Sequence, residues 1–213
     1  MHIPDGLLPV TLTGTGYVLL AGTVLGILRG TSLKGLLRTM TRISLVSSVV
    51  FVSSMVHIPM GYTSVHFTFA PLAGILLGPV SFVAVGLAIA LQWLLLGHGG
   101  LSTLGVNTFS MGSAALLAWL IMRRAKSAPT GGHPPVALLA GIAGSFCKVL
   151  LGSTLLVVGG FPPVTFWLVL GAHVPVILGE GAITALAARY LLHHIEEKGL
   201  NHGDSFQKVH GKG

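Results

Sequence analysis

Apolar runs of roughly twenty residues follow one another along this chain, broken by short clusters of glycine, proline and charge, and they predict membrane-spanning helices. The runs cover approximately residues 7–28, 43–57, 66–78, 80–97, 105–122, 136–158 and 166–192. That is an all-α integral membrane protein of about seven transmembrane helices. The third run is too short for a lipid-exposed span and contains Pro71, so neighbouring helices are expected to wrap it. Gly78-Pro79 marks a tight turn into the fourth. Residues 1–192 form one membrane domain, and residues 193–213 a histidine-containing tail expected to be disordered.

Composition agrees with a bilayer solvent. Of 213 residues, 52% are hydrophobic and 8% charged, and the mean hydropathy is +0.86. The formal charge of +7 does not point to nucleic acid, because the basic residues are sparse and flank apolar runs. Arg29, Lys34, Arg38 and Arg42 follow the first run, Arg123, Arg124 and Lys126 the fifth, and Arg189, Lys198, Lys208 and Lys212 the last. With seven passes all of these fall on one face, which the positive-inside rule makes cytoplasmic. The N-terminus is then outside, the C-terminus cytoplasmic, and the protein multi-pass. Asp5 at the start argues against a signal peptide, so Met1 is expected to stay in place. The lone Cys147 excludes an intramolecular disulfide.

The first residues, Met1-His-Ile-Pro-Asp-Gly6, carry candidate chemistry. The Met1 amine, the His2 amide nitrogen and His2 Nδ1 close fused five- and six-membered chelate rings around one ion. Such rings hold three donors nearly coplanar, the tetragonal geometry of Ni(II), Cu(II) or low-spin Co(II) rather than tetrahedral zinc. Pro4 turns the chain without offering a competing amide. The predicted topology brings His57, His66 and His98 to the same outer face, and one imidazole completes four nitrogens. His66 is favoured because it is expected to open the short buried helix. The plainer reading of each histidine is an interfacial or helix-capping residue.

Lys148 and Glu180 fall near the middles of the sixth and seventh helices, where each is costly unless paired. A Lys148–Glu180 ion pair fixing helix packing is expected, in preference to a proton or ion relay. Gly22, Gly26 and Gly30 lay a strip of small residues along the first helix, suited to a neighbouring helix or to a partner subunit. His193, His194, His202 and His210 in the tail read as helix-end packing or a histidine excess before they read as metal collectors.

Several motifs together resemble one family, the cobalt/nickel substrate-specificity components CbiM and NikM of energy-coupling factor (ECF) transporters. They are Met1-His-Ile-Pro-Asp-Gly6, Gly61-Tyr-Thr-Ser-Val-His66, Gly74-Ile-Leu-Leu-Gly-Pro79, Gly97-His-Gly-Gly-Leu-Ser-Thr-Leu-Gly-Val-Asn107 with Met111, and Gly179-Glu-Gly-Ala-Ile-Thr-Ala185. The resemblance implies a metal square plane of the Met1 amine, the His2 amide and imidazole, and His66, selecting His66 over His57 and His98. It makes Asp5 and Asn107 candidates for orienting those ligands. It also implies a seven-helix protein whose first helix carries the N-terminus into the bundle from outside. Three features depart from the family: Pro59-Met-Gly-Tyr-Thr before the loop histidine, His98-Gly-Gly where many relatives have Asp-Gly-Gly, and the histidine tail.

The expected function is capture of Ni(II) or Co(II) by the substrate-binding subunit of an ATP-driven uptake transporter. The chain itself is not an enzyme and takes no cofactor beyond the substrate ion. It lacks a Gly-x-x-x-x-Gly-Lys-Ser/Thr phosphate loop. A transmembrane coupling subunit, two ATPase subunits and a small accessory subunit of the CbiN/NikN kind are the implied partners. The alternative is a stand-alone secondary Ni/Co carrier, disfavoured because no Asp lies between Asp5 and Asp204. An intramembrane metalloenzyme would call for a His-Glu-x-x-His helix, which is absent.

Overall fold

A computed structural model describes residues 2–60, 63–126 and 134–197. Its helices are α1 (Val10–Arg29), α2 (Leu33–Ser53), α3 (Ala70–Leu77), α4 (Ser81–Leu96), α5 (Leu104–Lys126), α6 (Pro134–Val158) and α7 (Val164–Glu197), with a 3-10 turn at Gly78–Val80 between α3 and α4. Between α2 and α3, β1 (Ile58–Met60) pairs antiparallel with β2 (Thr63–Val65), Pro59 opposite Ser64.

Several boundaries differ from the sequence expectation. Helix α2 begins at Leu33 rather than near residue 43, because Ser32 Oγ accepts the Gly35 amide at 3.1 Å and caps an earlier start. Lys34, Arg38 and Arg42 then recur every fourth residue, on one helix face instead of in a loop. The same helix ends at Ser53, so His57 precedes β1 and does not close α2. His66 follows β2 and precedes α3, so it does not open the short helix either. Helix α7 continues past residue 192 to Glu197. The tail histidines His202 and His210 lie outside the described residues.

Among the described residues, six stretches are long and apolar enough to cross a membrane, and one of them is Ala70–Leu96. Within it the chain reverses. A Cβ on Gly74 would lie 1.9 Å from Ala115 O, and one on Gly78 3.4 Å from Trp119 Nε1, so α3 runs alongside α5 in the same direction. Helix α4 runs against α5: Gly112 approaches Phe82, and Gly86 approaches Thr108. It runs with α2, since Ser47 Oγ donates to Ala84 O at 2.9 Å and Gln92 Nε2 to Phe51 O at 3.3 Å. Gly78, with φ of +62°, supplies the backbone geometry of that reversal. Helix α3, at eight residues, spans only about 12 Å. It is almost wholly buried, as its proline and its length lead one to expect.

Packing places α5 and α6 centrally, with α1 and α2 largely exposed on one side. Leucines and valines there, such as Leu25, Leu37 and Val52, form a lipid-facing surface. Helix α1 meets α5 through backbone approach at Gly16 and Gly105. A side chain at Gly22 or Gly26 would meet no atom of the described chain within 4 Å, so that part of the small-residue strip does not receive a helix of this molecule.

Candidate metal centre

The N-terminal segment enters the bundle as an extended strand of backbone. Ile3 is buried among Val106, Val149, Val169 and Ile177, from α5, α6 and α7. Asn107, one turn into α5, pairs with the Ile3 backbone: Ile3 N donates to Oδ1 at 3.0 Å, and Nδ2 donates to Ile3 O at 2.9 Å. Thr103 Oγ1 donates to the same carbonyl at 2.6 Å. Asp5 takes the amides of Leu101 at 3.0 Å and Ser102 at 2.8 Å, and the Ser102 hydroxyl at 2.5 Å, just ahead of the α5 N-terminus. There the helix dipole and the unpaired amides favour an anion. The Ser102 hydroxyl, followed by these amides, holds the Asp5 carboxyl below the usual carboxylate range. Asp5 and Asn107 thus grip the backbone on either side of Pro4, and neither bonds an imidazole.

So clamped, His2 points inward. Its Nδ1 lies 3.2 Å from His66 Nε2 and 3.0 Å from His98 Nε2. One nitrogen from each of these three residues falls within 4.8 Å of the others. The His57 ring stands beside them, its centroid 4.7 Å from that of His98 and 5.1 Å from that of His66. Met1 lies outside the described residues.

The ring orientations suit metal binding. His66 Nδ1 faces Phe67 O at 3.4 Å, which leaves Nε2 to present a lone pair toward His2. Burial pushes His2, His66 and His98 below the ordinary imidazole value of 6.5, keeping all three uncharged. His2 Nε2 is buried and has no hydrogen-bond partner among the described residues. Neutral nitrogens converging from His2, His66 and His98 are a donor set that suits a borderline divalent ion.

Beneath this cluster Lys148 Nζ lies 3.1 Å from Glu180 Oε2, both side chains buried. The pair does more than join α6 to α7. Glu180 also accepts from the Thr68 hydroxyl at 2.8 Å, the Phe69 amide at 3.1 Å, and the Thr68 amide and Ser145 hydroxyl. Lys148 donates to Thr68 Oγ1 at 2.8 Å. The carboxylate therefore anchors the backbone just after His66, where Phe69 sits at φ of +50°, a conformation uncommon outside glycine. Thr68, Thr103 and Ser145 escape sequence reasoning because hydroxyl residues carry no distinctive spacing; only their depth in the bundle reveals them.

Comparison with known proteins supplies the family. The family described as CbiM, cobalt uptake substrate-specific transmembrane region, matches residues 2–197. A cobalt transport protein CbiM of Roseiflexus sp. is 34% identical over 200 residues, 87% of this chain and 80% of that protein. A putative fused nickel transport protein NikMN of Archaeoglobus fulgidus is 38% identical over 117 residues, 52% of this chain and 37% of that protein. Among solved structures, a truncated transition metal transporter superposes with a TM-score of 0.76 at 25% identity, covering 91% of this chain and 99% of that one. With its apolar helices and a family match over nearly its full length, the chain belongs to the CbiM family of multi-pass, prokaryotic cobalt/nickel transport proteins.

Proposed function

We propose that this chain is the substrate-binding subunit of an ECF-type uptake transporter, and that it captures Ni(II) or Co(II) in a square plane. The plane consists of the Met1 amine, the His2 amide nitrogen, His2 Nδ1 and His66 Nε2. One observation carries the reading: His2 Nδ1 and His66 Nε2 are 3.2 Å apart while the Ile3 backbone is held on both sides by Asn107. Two nitrogens each about 2 Å from one ion, at right angles, are about 3 Å apart. A chelate that needs a fixed chain end is served by a segment whose third residue is buried in the core.

The ion enters from outside. Seven passes with the N-terminus external are supported by the cations at the far ends of the helices from the histidines: Arg29 closing α1, Lys34 opening α2, Arg123 and Arg124 near the end of α5. Energy comes from partners, since the chain has no phosphate loop. A coupling membrane subunit and two ATPases fill that role. The fused arrangement in the NikMN relative supports a small NikN-like accessory subunit as a further partner. The captured ion is released when the subunit reorients within that assembly.

Metal analysis of the purified chain beside a form bearing one extra residue before Met1 tests the reading. One ion per chain is expected in the first and none in the second, because the amine becomes an amide. Equal metal in both, with both folded, overturns it.

A further inference from the structure

His98 is as near to the proposed chelate as His66 is. Its Nε2 stands 3.0 Å from His2 Nδ1, against 3.2 Å for His66 Nε2. Both separations are those of adjacent positions around one ion. Ring orientation tells the two apart. Chelation through Nδ1 keeps the His2 imidazole close to the coordination plane, and the His66 ring lies 13° from it. The His98 ring is turned 72° from His2 and 78° from His66. Around one ion, the places about 3 Å from His2 Nδ1 are two in the plane, taken by the His2 amide nitrogen and His66 Nε2, and two along the axis, so a further nitrogen at that separation, on a ring turned across the plane, falls to the axis.

We propose that His98 is an axial, fifth nitrogen donor, and that it biases the site toward Co(II) over Ni(II). This rests on the four-nitrogen plane proposed above. The ring is held in place by its backbone: Gly97 and Gly99 flank it at φ of +63° and +87°, and His98 N donates to Gln92 O at 3.1 Å where α4 ends. His98 also lines a cavity of about 140 Å³ with Met55, His57 and Gln92, a route by which an ion can approach its side of the cluster. The electronic consequence follows from orbital occupancy. Low-spin Co(II) has one electron in the orbital along the axis and accepts a donor there, whereas planar low-spin Ni(II) has a pair and repels one.

Electron paramagnetic resonance of the full chain loaded with Co(II) under anaerobic conditions tests the proposal. A low-spin signal whose axial cobalt lines are split by a nitrogen nucleus is expected. His98→Ala and His98→Gln should each lose that splitting while still binding cobalt. In competition, either variant should shift its bound cobalt-to-nickel ratio toward nickel by about tenfold. A low-spin signal without axial nitrogen splitting in the unaltered chain overturns the proposal, even where a variant fails to fold. So does splitting that persists in either variant. Both of those results leave the planar site standing. A high-spin signal, or no bound cobalt, removes the planar site and the axial donor together.

Discussion

The Thr68 hydroxyl lies 2.8 Å from Glu180 Oε1, joining the middle of α7 to the backbone two residues beyond His66. Lys148 completes the arrangement by donating to both partners. An ion pair at this depth is stable only because every lone pair finds a donor.

Replacing one member strands the other. Glu180→Gln leaves the Lys148 ammonium without its counter-charge and should lower folding stability by about 3–5 kcal/mol. Thermal unfolding in detergent measures this. The double change Lys148→Met with Glu180→Leu should recover part of the loss, because neither charge remains to be solvated. An unchanged Tm in Glu180→Gln together with abolished transport would assign the pair to ion or proton relay instead of packing.

Asn107→Leu keeps the number and branching of side-chain heavy atoms but removes both hydrogen bonds to Ile3. It should cost about 1–3 kcal/mol in stability, since the Ile3 amide stays buried without its partner. Metal affinity, read by competition with a chromogenic chelator, should fall 10–100-fold as His2 loses its fixed position.

Gly100→Ala probes the other half of the clamp. The added Cβ would sit 2.1 Å from Asp5 Oδ1 and 2.6 Å from Asp5 N, a contact that moving the N-terminal segment relieves. Hydrogen exchange at Ile3 and Asp5 should accelerate, and metal affinity should drop about tenfold. Unchanged exchange would mean the 98–103 loop yields instead.

The metal-free protein should lose stability as pH falls below about 6.5. His2, His66 and His98 have folded values below 6.5, so the unfolded chain binds more protons in that range, and stability rises with pH there. A Tm that falls on acidification below 6.5 is expected, with the slope reduced in a His66→Phe variant. Metal affinity should fall over the same range and above it, since ligation displaces protons from the amine and amide as well.

The sequence speaks clearly where a single helix settles the matter. The spans of α1, α5 and α6 are visible as long apolar runs, and the Lys148–Glu180 pairing is legible because both residues fall mid-helix. The start of α2 is not, because Lys34, Arg38 and Arg42 look like loop charges until their stems are laid along a helix with the heads at the interface. The hairpin of Ile58–Met60 and Thr63–Val65 is hidden by its brevity and by Pro59. The preference for His66 rests on the family resemblance alone, since the residue precedes α3 and does not open it. The approach of His98 to His2 and the reach of Glu180 to Thr68 join segments 96 and 112 residues apart, and no local pattern encodes such distances.

Ile3 belongs to an apolar cluster that reaches as late in the chain as Ile177. The socket for the second and third residues is therefore shared: α5 supplies the hydrogen bonds to the Ile3 backbone, and α6 and α7 supply part of its apolar lining. A chain cut before α7 would keep the Asn107 clamp but lose Val169 and Ile177 from that lining, leaving His2 less firmly aimed.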